Sequence, residues 1–333
     1  MMLRILAVVA VFTAACGDNQ KPATDDATQP DSGRSSVERG RYIMNNLGAC
    51  TFCHTPLNPD GTRDLTRLFA GVDCLFDVDP ATANVGCISS RNLTNDGTGL
   101  KNATDDQIKN AFRNGMRTDG KALAPVMPYY IFHNMTDDDA DAIVAYLRTV
   151  PGVDHTVKAN EPPWSLINDS LMPAPPILDS EIPLPRGGVD NLAAMRGRYL
   201  TAKVGLCIDC HTPDAPMTSP IPIDMTMPFA GGRVFGNLDL GLPNPPYPAM
   251  IHVRNLTPDA TGLMGYSMTD IKNAVALGKD PMGKAVCAAT HGSMISPYAA
   301  LDPADLDDIA AYIIALPPIA NNTSPNCQGP TVP

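Results

Sequence analysis

With 333 residues, 44% of them hydrophobic and 18% charged, the chain has room for two ordinary domains and a composition that excludes wholesale disorder. Its 33 prolines and 26 glycines predict short helices joined by long turns. A net charge of −11 leaves no basic face strong enough to compete for phosphate backbones, which argues against nucleic acid as a partner and requires a positive patch on any partner steered by charge.

Residues 1–16 read as a processing segment: Arg4, an apolar run from Ile5 to Phe12 that is too short to span a bilayer, and the small residues Thr13-Ala14-Ala15 before Cys16. This pattern, followed by the polar Gly17-Asp18-Asn19-Gln20, resembles a bacterial lipoprotein signal, with Cys16 as the lipidated first mature residue. The alternative is an ordinary secretory peptide with an incidental cysteine. Either way the expected place is the bacterial envelope, and with Cys16 lipidated it is the periplasmic side of a membrane in a Gram-negative cell. Residues 17–36, rich in Asp, Thr, Ser and Pro, are expected to be a flexible tether.

A first domain is expected over residues 37–150. Its opening helix, 37–47, carries Arg39-Gly40-Arg41-Tyr42 and runs into Cys50-Thr51-Phe52-Cys53-His54. Cys-x-x-Cys-His is the attachment signal for c-type haem: two thiols at that spacing reach the two vinyl groups as thioethers, and the adjacent histidine reaches the iron. A zinc half-site or a thioredoxin-like redox pair shares the Cys-x-x-Cys spacing, but neither suits a helix-led motif that recurs a whole domain later. Farther along come Phe69-Ala70-Gly71, the loop Arg91-Asn92-Leu93-Thr94, and a helix opened by the capping box Thr104 with Gln107, whose inner face is Ile108, Ala111 and Phe112. Met127, braced by Pro125 and Pro128 just before the closing helix, is the expected second axial ligand. The closing helix starts at Thr136 and buries Ile143, Val144 and Leu147, and the acids Asp137, Asp138 and Asp139 read as first-turn charges that suit the helix dipole.

Residues 151–190 hold eight prolines and the only tryptophan, Trp164, with no sustained helical period. They are expected to form a linker that drapes over its neighbours. The same blocks then return in the same order over residues 191–320. Arg196-Gly197-Arg198-Tyr199 leads into Cys207-Ile208-Asp209-Cys210-His211, and Phe229-Ala230-Gly231 and Arg254-Asn255-Leu256-Thr257 follow. A helix with Ile271, Ala274 and Val275 inside precedes a last helix starting at Pro303. Here the Met-Pro-Tyr triplet is opened to His291-Gly292-Ser293-Met294-Ile295-Ser296-Pro297-Tyr298. Met294 is the best-matched axial ligand, with His291 and Met282 as rivals and a five-coordinate iron as a further possibility. Residues 321–333 form a tail.

The motifs R-G-x-Y, C-x-x-C-H-T, F-A-G, N-L-T-x-D-x-T-G and M-P-Y are similar to those of class I c-type domains in the multi-haem cytochrome subunits of membrane-associated alcohol, aldehyde and gluconate dehydrogenases and in related di-haem cytochromes. The resemblance covers most of 37–150 and 191–320. It implies an all-α, loop-rich tandem of two such domains and two covalent haems, on Cys50, Cys53 and His54 and on Cys207, Cys210 and His211, with Met127 and Met294 as distal ligands. It also implies electron transfer from a dehydrogenase or soluble donor toward a terminal oxidase or another cytochrome. Those relatives usually carry three such domains and this chain carries two, so membership of that complex does not follow. A peroxidase or sulfur-compound oxidase with an open site on the second haem is the alternative. Of nine cysteines, four are assigned to haem and one to lipid, which leaves Cys74 with Cys87 and Cys287 with Cys327 as expected disulfides, one per domain. Arg91 and Arg254 are candidate partners for haem propionates, whereas His133, His155 and His252 read as ordinary histidines.

Overall fold

The computed structural model describes residues 34–59, 62–168, 172–216, 218–236, 250–283 and 298–325. Expectations for Cys16, Cys287, His291, Met294 and Cys327 therefore lie outside the described residues. Helix α1, Ser36–Tyr42, opens on a capping box in which Ser35 and Glu38 exchange hydrogen bonds, and it passes into a π-helical turn over Ile43–Leu47. The short helix α2, Cys50–His54, follows. After the hairpin β1, Val72–Asp77, with β2, Cys87–Ser90, come α3, Asp105–Asn114, α4, Tyr129–Phe132, and α5, Asp137–Leu147. Helix α6 spans Trp164–Asn168. The C-terminal half repeats the order with α7, Leu192–Tyr199, a π turn over Leu200–Val204, α8, Cys207–Cys210, the hairpin β3, Val234–Gly236, with β4, Met250–His252, then α9, Met268–Leu277, and α10, Pro303–Ala315.

Two antiparallel ribbons thus interrupt a fold expected to be all-α. They escape the sequence because neither alternates. Strand β2 is buried at every position, and β1 is half-buried with a register shift between Val72 and Phe76. What holds the first ribbon is tertiary. The Cys74–Cys87 disulfide crosses it, Ser89 N donates to Asn160 Oδ1 at 2.8 Å, and Trp164 Nε1 donates to the Gly86 carbonyl at 2.7 Å.

Each half closes by laying its first helix on its last. Helix α1 crosses α5 at Gly40, where a Cβ would stand 1.9 Å from the Ala142 carbonyl oxygen, and α7 crosses α10 at Gly197, 2.0 Å from that of Asp308. Only glycine permits helices to approach so closely. One helical turn away, Phe69 and Phe229, both fully buried, meet Tyr146 and Tyr312 edge-to-face at centroid distances of 6.1 and 5.7 Å.

The halves lock to each other by a reciprocal exchange. Tyr42 donates its hydroxyl proton to Asp305 Oδ2 at 2.8 Å and accepts from the Asp302 amide at 3.1 Å, while Tyr199 donates to Asp139 Oδ2 at 2.7 Å and accepts from the Thr136 amide at 3.2 Å. Each acceptor carboxylate is held from its own half: Asp139 by Arg39 at 2.8 Å, and Asp305 by Arg196. Asp139 is therefore a buried, cross-bonded acid and not the solvated dipole charge that its place in an acidic run suggested. The reason is that Tyr199 reaches across from the other half, which no local pattern reveals.

The described residues of 151–190 lie against both halves. Glu161 accepts from the Cys87 amide, the Ile177 amide donates to the Tyr130 carbonyl at 3.0 Å, and the Arg186 amide donates to the Ala315 carbonyl at 2.7 Å. Among the described residues no helix is long and apolar enough to cross a membrane.

Candidate functional site

The chain reverses sharply into the first motif through Ala49, which takes a left-handed conformation at φ 47°, and α2 then carries Cys50, Cys53 and His54. Three local bonds fix the histidine. His54 Nδ1–H donates to the Arg91 carbonyl at 2.8 Å, Gly71 N donates to the His54 carbonyl at 2.9 Å, and the adjoining Thr55 hydroxyl accepts from Phe69 N at 3.2 Å. The second motif is held by the same set. His211 Nδ1–H donates to the Arg254 carbonyl at 2.9 Å, Gly231 N to the His211 carbonyl at 2.7 Å, and Phe229 N to Thr212 Oγ1 at 3.1 Å.

The carbonyls that hold the histidines sit on loops stiffened by their own side chains. Asn92 Oδ1 accepts from the Thr94 amide and hydroxyl at 2.9 and 2.8 Å, and Asn255 Oδ1 accepts from those of Thr257 at 2.8 Å each. Donation from Nδ1 sets the tautomer, leaving the lone pair on Nε2, the nitrogen that a metal would take. Burial also lowers the pKa of His54 below the ordinary histidine value, so its ring is neutral at pH 7. Arg91 and Arg254 thus act first through their backbone, while the Arg254 guanidinium donates to the Tyr266 hydroxyl at 3.2 Å and stands in the wall of a cavity between the halves.

A cavity of about 450 Å³ runs between the halves and touches both motifs. Phe52 and Cys53 line it from one side, and Cys207, Asp209, Cys210 and His211 from the other. Its remaining wall is largely apolar, with Leu47, Leu206, Ile271, Val275, Ile309 and Ile313 among its members. All four motif cysteines are unbridged. Burial pushes the thiols of Cys50, Cys207 and Cys210 up to about 12 and that of Cys53 up to about 11, so with no group bound they are neutral thiols at pH 7. A thiol pair on an apolar wall, next to a histidine whose lone pair is on Nε2, fits a flat apolar macrocycle.

Met127 is half-buried against the core on a segment whose neighbours Pro125, Val126 and Pro128 line the cavity. Met282, by contrast, is 76% exposed at the turn after α9. His133 and His155 spend Nδ1 on Asn114 Oδ1 and on the Ala70 carbonyl, both at 2.8 Å, whereas His252 lines the cavity. A polar cluster went unread in the sequence. Tyr130 donates to Asp209 Oδ1, and Arg233 Nη1 donates to the same oxygen at 2.7 Å. The only hint was an acid between the two cysteines of one motif and none in the other.

The cytochrome c family model matches residues 37–151. Over 95% of its length the chain is 29% identical to the cytochrome c subunit of a quinone alcohol dehydrogenase from Gluconacetobacter polyoxogenes, covering 62% of that protein. It is 31% identical, over 64% of its length and 44% of the relative, to the gluconate 2-dehydrogenase cytochrome c subunit of Pantoea cypripedii. It is also 31% identical over 35% of its length to a diheme cytochrome c-type protein of Cereibacter sphaeroides, covering 36% of it. The chain spans about three-fifths of the length of the alcohol dehydrogenase subunit it matches.

Proposed function

We propose, for a chain whose residues 37–151 match the cytochrome c family model, that it is a di-haem c-type cytochrome which carries electrons from a dehydrogenase or soluble donor to a downstream respiratory acceptor. A domain of this family implies covalently attached haem c. The finer reading is a tandem: class I domains over 37–150 and 191–320, joined by the proline-rich 151–190, each holding one haem. The observation that carries it is the identical seating of His54 and His211, each with Nδ1 bonded to the carbonyl of an Arg-Asn-Leu-Thr loop and each beside an unbridged cysteine pair. Neither seating follows from the other by sequence proximity, so the duplicated bonds support duplicated chemistry.

In this reading Cys50, Cys53, Cys207 and Cys210 would hold the rings, and His54, His211, Met127 and Met294 would be the ligands of the irons. The haem supplies one-electron storage; the chain supplies a dry wall and two oriented imidazoles. Similarity to dehydrogenase subunits supports a redox-protein partner. A Cys16 lipid would keep the chain on the periplasmic face of a membrane.

The test is a haem count on purified holoprotein together with absorption and EPR spectra, oxidised and reduced, with and without carbon monoxide. Two low-spin haems per chain that ignore carbon monoxide are expected. One haem per chain would overturn the tandem reading. Two haems of which one is high-spin or binds carbon monoxide would instead favour a di-haem oxidase or peroxidase, for which the opened Met-Pro-Tyr triplet at 294–298 is the sequence feature.

A further inference from the structure

The two motifs are seated alike but charged differently. Between the cysteines the first carries Thr51 and Phe52, the second Ile208 and Asp209. Asp209 lines the shared cavity, and its carboxylate is fixed from two directions, by the buried Tyr130 hydroxyl of the other half and by Arg233 at 2.7 Å. Arg233 is held in turn by a donor contact to the Asp209 carbonyl at 2.8 Å and by Asp214 at 3.0 Å. None of the three recurs at the first motif. Alignment of the repeats puts Phe52 opposite Asp209 and Ala299 opposite Tyr130.

Beside the first motif stands a cation. The Arg63 guanidinium lies 4.7 Å from the Phe52 ring centroid and donates to the Thr55 carbonyl at 3.0 Å. Its counterpart is the fully buried Ile223, since Leu57 bridges to Arg63 as Asp214 bridges to Ile223. One attachment turn therefore has two carboxylates, Asp209 and Asp214, gathered on the single guanidinium of Arg233, and the other a guanidinium packed over Phe52.

We infer that Asp209, positioned by Tyr130 and Arg233, sets the reduction potential of the haem on Cys207 and Cys210 below that of the haem on Cys50 and Cys53, so that an electron shared between the sites rests on the N-terminal one. An anion beside a redox centre disfavours the added electron, and the cavity's apolar wall screens the charge far less than water would. The inference rests on the di-haem reading above, with its distinct support in the asymmetry of charge.

A potentiometric titration of the full-length holoprotein resolves the two reduction waves, and Asp209→Asn and Arg233→Gln probe them in opposite directions. Asp209→Asn keeps the hydrogen-bonding shape and removes the charge. It should raise the lower wave by roughly a tenfold change in reduction equilibrium, about 59 mV for one electron, and move the upper wave by less, since Asp209 shares its cavity with Cys53. Arg233→Gln leaves the carboxylate without its cation and should lower that same wave. A merely structural role would not move one wave both ways. Unmoved waves in Asp209→Asn, equal movement of both waves, or a shift of the same sign in the two variants would overturn the inference while leaving two haems per chain intact. A wild-type count of one haem would instead remove the reading beneath it.

Discussion

Gly40 and Gly197 show how much one missing methyl group can carry. In each half the first helix can lie on the last only because no Cβ stands where a carbonyl oxygen already is, 1.9 Å from Ala142 O in one crossing and 2.0 Å from Asp308 O in the other. An alanine cannot be absorbed by a rotamer change, because the atom it meets is backbone. The helices must part, and Arg39 and Arg196 lose their grip on Asp139 and Asp305. Gly40→Ala and Gly197→Ala should each cost about 1–3 kcal/mol, read as a lowered melting temperature of the holoprotein. A change below about 0.5 kcal/mol, the scale of an ordinary surface substitution, would mean that the crossings are looser than described. At this scale the sequence was legible wherever chemistry fixes spacing, as in Cys50-Thr51-Phe52-Cys53-His54. The repeated Arg-Gly-x-Tyr block was visible too, but not its purpose, since glycine and tyrosine there answer to partners 60 or more residues away.

Among the elements, helices announced themselves through their caps. Thr104 accepts from the Gln107 amide, Thr136 from that of Asp139, and α10 begins at Pro303, each a local device that a sequence can display. The ribbons did not, because non-alternating strands of three to six residues have no period to detect. The packing of 151–190 was equally silent in its details, and a buried pair of cations pins it. Arg198, 2% exposed, bonds Asp179 Oδ1 at 3.2 Å, and Lys203 pairs with the same oxygen. Burial works to raise the Asp179 pKa, yet these two partners hold it below the ordinary aspartate value. A carboxyl whose folded pKa is depressed adds stability above its unfolded value, near pH 4, and loses it as pH falls through the folded one. Asp179→Asn should therefore lower the melting temperature at pH 7, and the gap to wild type should close below about pH 4. A gap that stayed constant down to pH 3 would show that the charge on Asp179 is not what holds the segment.

At the level of the whole molecule, the exchange of Tyr42 and Tyr199 makes the contact between halves isologous: the same surface serves as donor and acceptor on both sides, the arrangement expected of a two-fold dimer joined into one chain. Its consequence is cooperativity. The core runs unbroken from Tyr42 and Leu47 through Tyr129 and Tyr130 to Tyr199 and Tyr312, so neither half can unfold without exposing the other's buried carboxylate and its side of the cavity. Each hydroxyl satisfies a buried acid and a helix-start amide at once, and its removal should cost about 1–3 kcal/mol. Because Arg39 lies 5.8 Å from the Tyr42 ring centroid and pairs with Asp139, the acceptor of Tyr199, the two exchanges form one network, and Tyr42→Phe and Tyr199→Phe should not simply add in the double variant. Calorimetry of the wild-type holoprotein should give one transition, and the double variant should give an earlier one that broadens or divides as the halves come apart. Two separate transitions in the wild type would mean that each half stands alone. In that case the shared cavity would have to be held by residues 151–190 and not by the tyrosines.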